Sequence, residues 1–88
     1  MGKYHFVFLL NEEVELKNIK ELVKSYAGKV VKEEAWGQKT LAYPIKKQLS
    51  ANFYDWQIEL GQKDVSEFKR KLNFNEKLLR YLLLKTEN

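Results

Sequence analysis

The chain has 88 residues, 44% of them hydrophobic and 32% charged, with 16 basic and 12 acidic side chains and a formal net charge of +4. That composition excludes a disordered tail, and the length leaves too few apolar residues for two independent cores, so a single domain over residues 1–88 is expected. There is no cysteine, which excludes a disulfide framework and thiolate metal ligation, and the mild basic bias is compatible with a polyanionic partner without identifying one.

The N-terminal apolar run, Phe6 to Leu10, is short and ends in acids, which argues against a signal peptide or a membrane span. Phe6 also stands where a myristoylation signal requires Ser or Thr. An intracellular soluble protein is the expectation. In the first segment Tyr4, Phe6, Phe8 and Leu10 alternate, the period of a strand. Leu16, Ile19, Leu22, Val23 and Tyr26 then recur at helical spacing, with Gly28 where a left-handed C-terminal cap is wanted.

Lys29 to Ile45 is β-rich, with Gly37 expected at a bulge and Pro44 on an edge strand, and with Leu41, Tyr43 and Ile45 expected to anchor it to the core. The segment "KKQLSAN" supplies a turn, in which Asn52 is a candidate for a left-handed conformation. Next, Tyr54, Trp56, Ile58 and Leu60 alternate with Phe53, Asp55, Gln57 and Glu59, the cleanest strand in the chain. A second helix carries Val65, Phe68 and Leu72 on its buried stripe, Asp64 and Glu67 as a capping pair and Asn73 and Asn75 at its exit. "KLLRYLLLKTEN" closes the chain as a strand.

The order is βαββαβ, with each helix crossing between parallel neighbours and both right-handed crossovers on one sheet face. This is an α+β, ferredoxin-like two-layer sandwich: a four-stranded antiparallel sheet with two helices on one face. The bulky sets of strands one and three are assigned to the helix side. The last strand is ambiguous: if Leu79, Tyr81 and Leu83 face the helices, then Arg80, Leu82 and Leu84 join His5, Val7 and Leu9 on the open face. A contiguous apolar strip of that kind marks an interface more often than a tolerated surface.

Catalytic constellations are missing from the pattern. His5 is the sole histidine and is read as structural, while Glu33 and Glu34 are adjacent on a strand and point to opposite faces. The four glycines lie too far apart to cradle phosphate. Acylphosphatases share this topology, but their phosphate loop after strand one is replaced here by the acidic "LLNEEVE". An RNA-recognition module of the same fold stacks bases on central-strand aromatics; here the open side of strand three shows Asp55 and Glu59, and Phe53 alone can stack. No enzyme activity, cofactor or metal is expected.

Basic residues cluster in Lys39, Lys46 and Lys47, within a stretch from Ala35 to Tyr54 that contains no Asp or Glu. A second group, Lys69, Arg70 and Lys71, lies on helix two; either group alone is more often a solvated surface than a site.

The run Gly37-Gln38-Lys39-Thr40-Leu41-Ala42-Tyr43-Pro44-Ile45-Lys46 resembles the signature of the bacterial ribosomal small-subunit protein six family. The likeness continues from the Tyr4 strand through "FYDWQIEL" to "LLRYLLLK". Thr40 departs from the charged or larger polar residue usual there, Ala51-Asn52 from the usual glycine and aromatic, and the sequence stops at Asn88 short of the tail of many members. The resemblance implies a cytoplasmic, ribosomal protein that binds the central domain of small-subunit ribosomal RNA together with small-subunit protein eighteen, with no membrane or small-molecule substrate. On that footing Lys39, Lys46 and Lys47 are expected on RNA phosphate, with Arg80 and Lys3 as further contacts at the sheet's other edge. Val7, Leu9, Leu82 and Leu84, with Trp36 and Phe53, are expected on the partner. The competing expectation is a regulatory or ligand-binding domain that homodimerises through its open face.

Overall fold

The computed structural model describes residues 2–87. Its elements are β1 (Gly2–Leu10), α1 (Val14–Ser25), β2 (Lys29–Ile45), β3 (Gln48–Leu60), a short 3₁₀ turn (Gln62–Asp64), α2 (Val65–Phe74) and β4 (Leu78–Glu87). The strands form one sheet in the order β2-β3-β1-β4, and all three ladders are antiparallel. The expectation of parallel neighbours is thereby corrected. β1 and β2, joined by α1, have β3 between them, and β3 and β4, joined by α2, have β1 between them. The ferredoxin-like sandwich itself stands as expected.

Strict alternation decides the core. Tyr4, Phe6, Phe8 and Leu10 of β1 and Tyr54, Trp56, Ile58 and Leu60 of β3 are all buried, packed with Ile19 and Val23 of α1 and Phe68 and Leu72 of α2. Both helices therefore cover the same face. The aromatic rings interlock, Phe6 stacking on Phe8 at 4.6 Å and Phe8 meeting Trp56 edge-on at 4.9 Å, geometries worth about 0.5–1.5 kcal/mol each beyond their burial.

The last strand resolves with one correction. Leu83 and Tyr81 pack on the core, but the third position is taken by buried Leu78 and not by Leu79. A register shift between Leu9 and Leu10 sets Leu78 opposite Leu10, so the alternation slips by one residue there. Two caps also differ from expectation. Ala27, not Gly28, is left-handed at φ 58°. The Gly28 amide donates to the Val23 carbonyl and the Ala27 amide to that of Lys24, both at 2.9 Å, a Schellman closure. Asp64 makes no side-chain cap bond, because the 3₁₀ turn carries the chain into α2.

β2 is an edge strand, as Pro44 demands, and its bulge falls where Gly37 was expected to place it: Ala35 opposes Tyr54, Gly37 opposes Phe53 and has φ +86°, and Trp36 is the extra residue. Beyond it the expectations hold only in part, the turn falling on the first two residues of the expected segment. The turn is Lys46-Lys47, both left-handed (φ 49° and 67°), as a two-residue hairpin turn requires. Asn52 sits inside β3, opposite Leu10 and Gln38. Leu41 and Ile45 are only half-buried and Tyr43 is 82% exposed, so this stretch does not anchor to the core. Four residues, Leu41 to Pro44, lie between the pairs Thr40–Ser50 and Ile45–Gln48 where β3 supplies Leu49 alone, and strand alternation cannot survive that mismatch.

Candidate RNA and partner interface

The face of the sheet opposite the helices is set by register. His5, Val7 and Leu9 of β1 oppose Leu84, Leu82 and Arg80 of β4, and oppose Gln57, Asp55 and Phe53 of β3. The apolar strip expected from the sequence is therefore built, though unevenly exposed. Leu82 and Leu84 are about half exposed (54% and 51%), Val7 is half-buried, and Leu9 is buried. Leu9 is covered because the far part of the hairpin curls over it: Leu41, Pro44 and Ile45 share a groove with Leu9, Phe53 and Arg80. Trp36, thrown outward by the bulge, is 51% exposed.

The middle of this face is polar. His5 Nε2 pairs with an oxygen of Asp55, whose side chain is nearly buried. Asp55 thus has a cationic or hydrogen-bonding partner on the next strand and is not the open acid that the sequence suggested. That pair was missed because the two residues lie fifty positions apart; the available signal was that both fall on the open-side alternation of the two central strands. Beside them Lys32 pairs with Glu34 at 3.6 Å, while Glu33 turns to the helix face and meets Lys20 at 2.8 Å. The divergence of Glu33 and Glu34 is as expected for neighbours on a strand.

Four of the five expected RNA-contacting cations gather at one end of the sheet. Lys39 opposes Ala51, one step from the Asn52–Leu10 pair, Arg80 opposes Leu9, and Lys46 and Lys47 form the hairpin turn. The tip reaches across to β4, where Lys46 Nζ donates to the carbonyls of Leu78 at 3.0 Å and Glu76 at 3.3 Å. Arg80 therefore lies on the far edge strand yet shares a groove with the hairpin, because the hairpin comes to it. Lys3 is at the opposite end of β1, where its carbonyl accepts a bond from the Thr86 hydroxyl at 3.1 Å. The structure does not bring it to the other four.

Among the described residues Lys39, Lys47 and Arg80 form no ion pair, whereas Arg70 of the helix-two group reaches Glu67 at 4.0 Å. Lys77, beside the hairpin tip, is held by Glu12 at 2.9 Å, and that hydrogen bond together with the carboxylate charge raises its pKa above the ordinary lysine value. The described residues contain no cluster of His, Asp or Glu able to hold a metal, and none of the helices among them is long and apolar enough to cross a membrane.

The fold has a solved counterpart. A solved structure of 30S ribosomal protein S6 from Thermotoga maritima matches with a TM-score of 0.81, covering 97% of this chain and 87% of that one at 19% identity, which establishes the shared sandwich. The sequence goes further. Residues 3–85 match the family Ribosomal protein S6. Small ribosomal subunit proteins bS6 of Beijerinckia indica, Methylobacterium nodulans and Rickettsia felis are 34%, 33% and 30% identical to this chain over 99–100% of its length. The chain spans 62%, 70% and 78% of those relatives' own lengths. It belongs to the ribosomal protein S6 family, and the expected cytoplasmic, ribosomal localisation goes with that membership.

Proposed function

We propose that this chain is a non-enzymatic constituent of the small ribosomal subunit that binds the central domain of small-subunit ribosomal RNA together with small-subunit protein eighteen. The observation that carries the reading is the gathering of Lys39, Lys47 and Arg80, which form no ion pair among the described residues, around the acid-free far part of the hairpin in a chain of the S6 family. The segment from Ala35 to Tyr54 brings no acid of its own to repel phosphate; of the two acids that border the tip beside Lys46 and Gln48, Glu12 is paired with Lys77 and Glu76 remains. The modest net charge of +4 also fits joint binding, since affinity for RNA rises with the number of phosphates neutralised and a partner adds to that number.

On this reading the exposed Leu82, Leu84 and Trp36, with half-buried Val7 and Phe53, face the partner protein, and covered Leu9 contributes shape beneath the hairpin. Lys3 lies outside the cationic cluster and is at most a separate contact. Replacing Lys39 and Lys47 together by Gln is expected to weaken assembly on ribosomal RNA and to flatten the dependence of log K on log salt by about two units. An unchanged slope removes both lysines from the phosphate interface. The exposed Leu82 and Leu84 also favour, as the second reading, a homodimer through the open face. A concentration-dependent dimer that binds no ribosomal RNA would select it.

A further inference from the structure

Lys46 and Lys47 are sequence neighbours in one turn, but their surroundings differ. The Lys46 ammonium has three donors, and two of them are engaged by the Leu78 and Glu76 carbonyls at 3.0 and 3.3 Å, on the segment that leads from α2 into β4. Reaching outward to a phosphate would forfeit both bonds. Lys47 has no such engagement among the described residues. The ladder, meanwhile, does not fix the tip: pairing lapses after Thr40–Ser50 and resumes only at Ile45–Gln48, next to two left-handed lysines. Something else must hold the tip over the sheet. One tie comes from β1's end, where Asn11 Nδ2 donates to the Ser50 carbonyl at 2.9 Å and to Gln48 Oε1 at 3.2 Å. The other is Lys46.

We infer that Lys46 is a positioning residue: it lashes the hairpin tip to the start of β4, so that the tip is docked before any RNA is met and Lys47 is the turn lysine presented to phosphate. This deepens the proposed RNA-binding reading and rests on it for the binding part alone. The docked tip also closes the groove over Leu9 and Phe53 and brings Arg80 beside the hairpin. Without the tie, the mismatched stretch from Leu41 to Pro44 has little to choose one tip orientation over another.

The test uses amide hydrogen exchange of Ile45, Gln48 and Ser50 in the free protein, and a salt series of assembly on ribosomal RNA with the partner protein. Lys46→Met is expected to speed exchange at those amides by about tenfold, the scale of one lost charged hydrogen bond, and to weaken assembly at every salt concentration with its slope unchanged. Lys46→Arg, which can still donate to both carbonyls, restores slow exchange. Lys47→Met is expected to leave exchange as it was and to lower the slope by about one. Unchanged exchange in Lys46→Met overturns the inference, as does a slope lowered by about one in that variant. Should the parent protein fail to assemble on RNA at all, the RNA reading falls, and the exchange comparison still decides whether Lys46 is a tie.

Discussion

Gly28 shows how a right residue can be chosen for the wrong reason. Glycine after a helix usually supplies the left-handed position, but here that position belongs to Ala27, and Gly28 is needed for space. A Cβ at Gly28 would lie 2.7 Å from the Glu59 carbonyl oxygen and 2.8 Å from that of Val23. Neither is a flexible side-chain end that can swing away. Gly28→Ala is therefore expected to cost about 1–3 kcal/mol in urea denaturation, whereas Ala27→Gly should gain up to about 1 kcal/mol by relieving a positive φ. The reverse ranking would contradict this division of roles. The sequence hides it because the crowding comes from β3, thirty residues away. The same blindness to long-range neighbours concealed the bond between His5 and Asp55.

At the scale of elements, legibility tracks contrast. β1 and β3 could be phased because their bulky sets differ clearly from the residues between them, and every member assigned to the helix side is buried. β4 has leucines on both sides, so the one-residue slip beside Leu10 that selects Leu78 over Leu79 left no trace in the pattern. β2 failed differently. Its alternation of Leu41, Tyr43 and Ile45 is real, but there four residues of β2 lie against one of β3, and alternation no longer sorts core from solvent. In α2 the pattern held, and Phe68 shows its weight: its ring lies 5.8 Å from that of Phe6 and 6.4 Å from that of Tyr26, so it joins the sheet to both helices. Phe68→Ala is expected to cost about 3–5 kcal/mol, against less than about 0.5 kcal/mol for Phe74→Ala on the same helix, where the side chain is 75% exposed. Thermal or chemical denaturation of the two variants measures the difference.

For the whole molecule, the long hairpin is what departs from a plain sandwich, and the extents of 36 × 22 × 21 Å reflect an elongated body. Curling the hairpin over the sheet's end gathers Lys39, Lys46, Lys47 and Arg80, of which only the first three are close in sequence. The acid-free run pointed to the place; the meeting with Arg80 depended on a fold-back that no local pattern encodes. Family membership supplies the setting, and the molecule offers two surfaces of different character, an open face with exposed Leu82 and Leu84 and a cationic end, to which the proposed function assigns protein and RNA respectively. Residence in the small ribosomal subunit is the proposal on which the others depend. Its most direct measurement is sucrose-gradient sedimentation of a lysate from the source cells, followed with an antibody to this chain. The chain is expected to run with the small-subunit and intact-ribosome fractions and to leave them as salt is raised. Its presence only at the top of the gradient at low salt would contradict the claim.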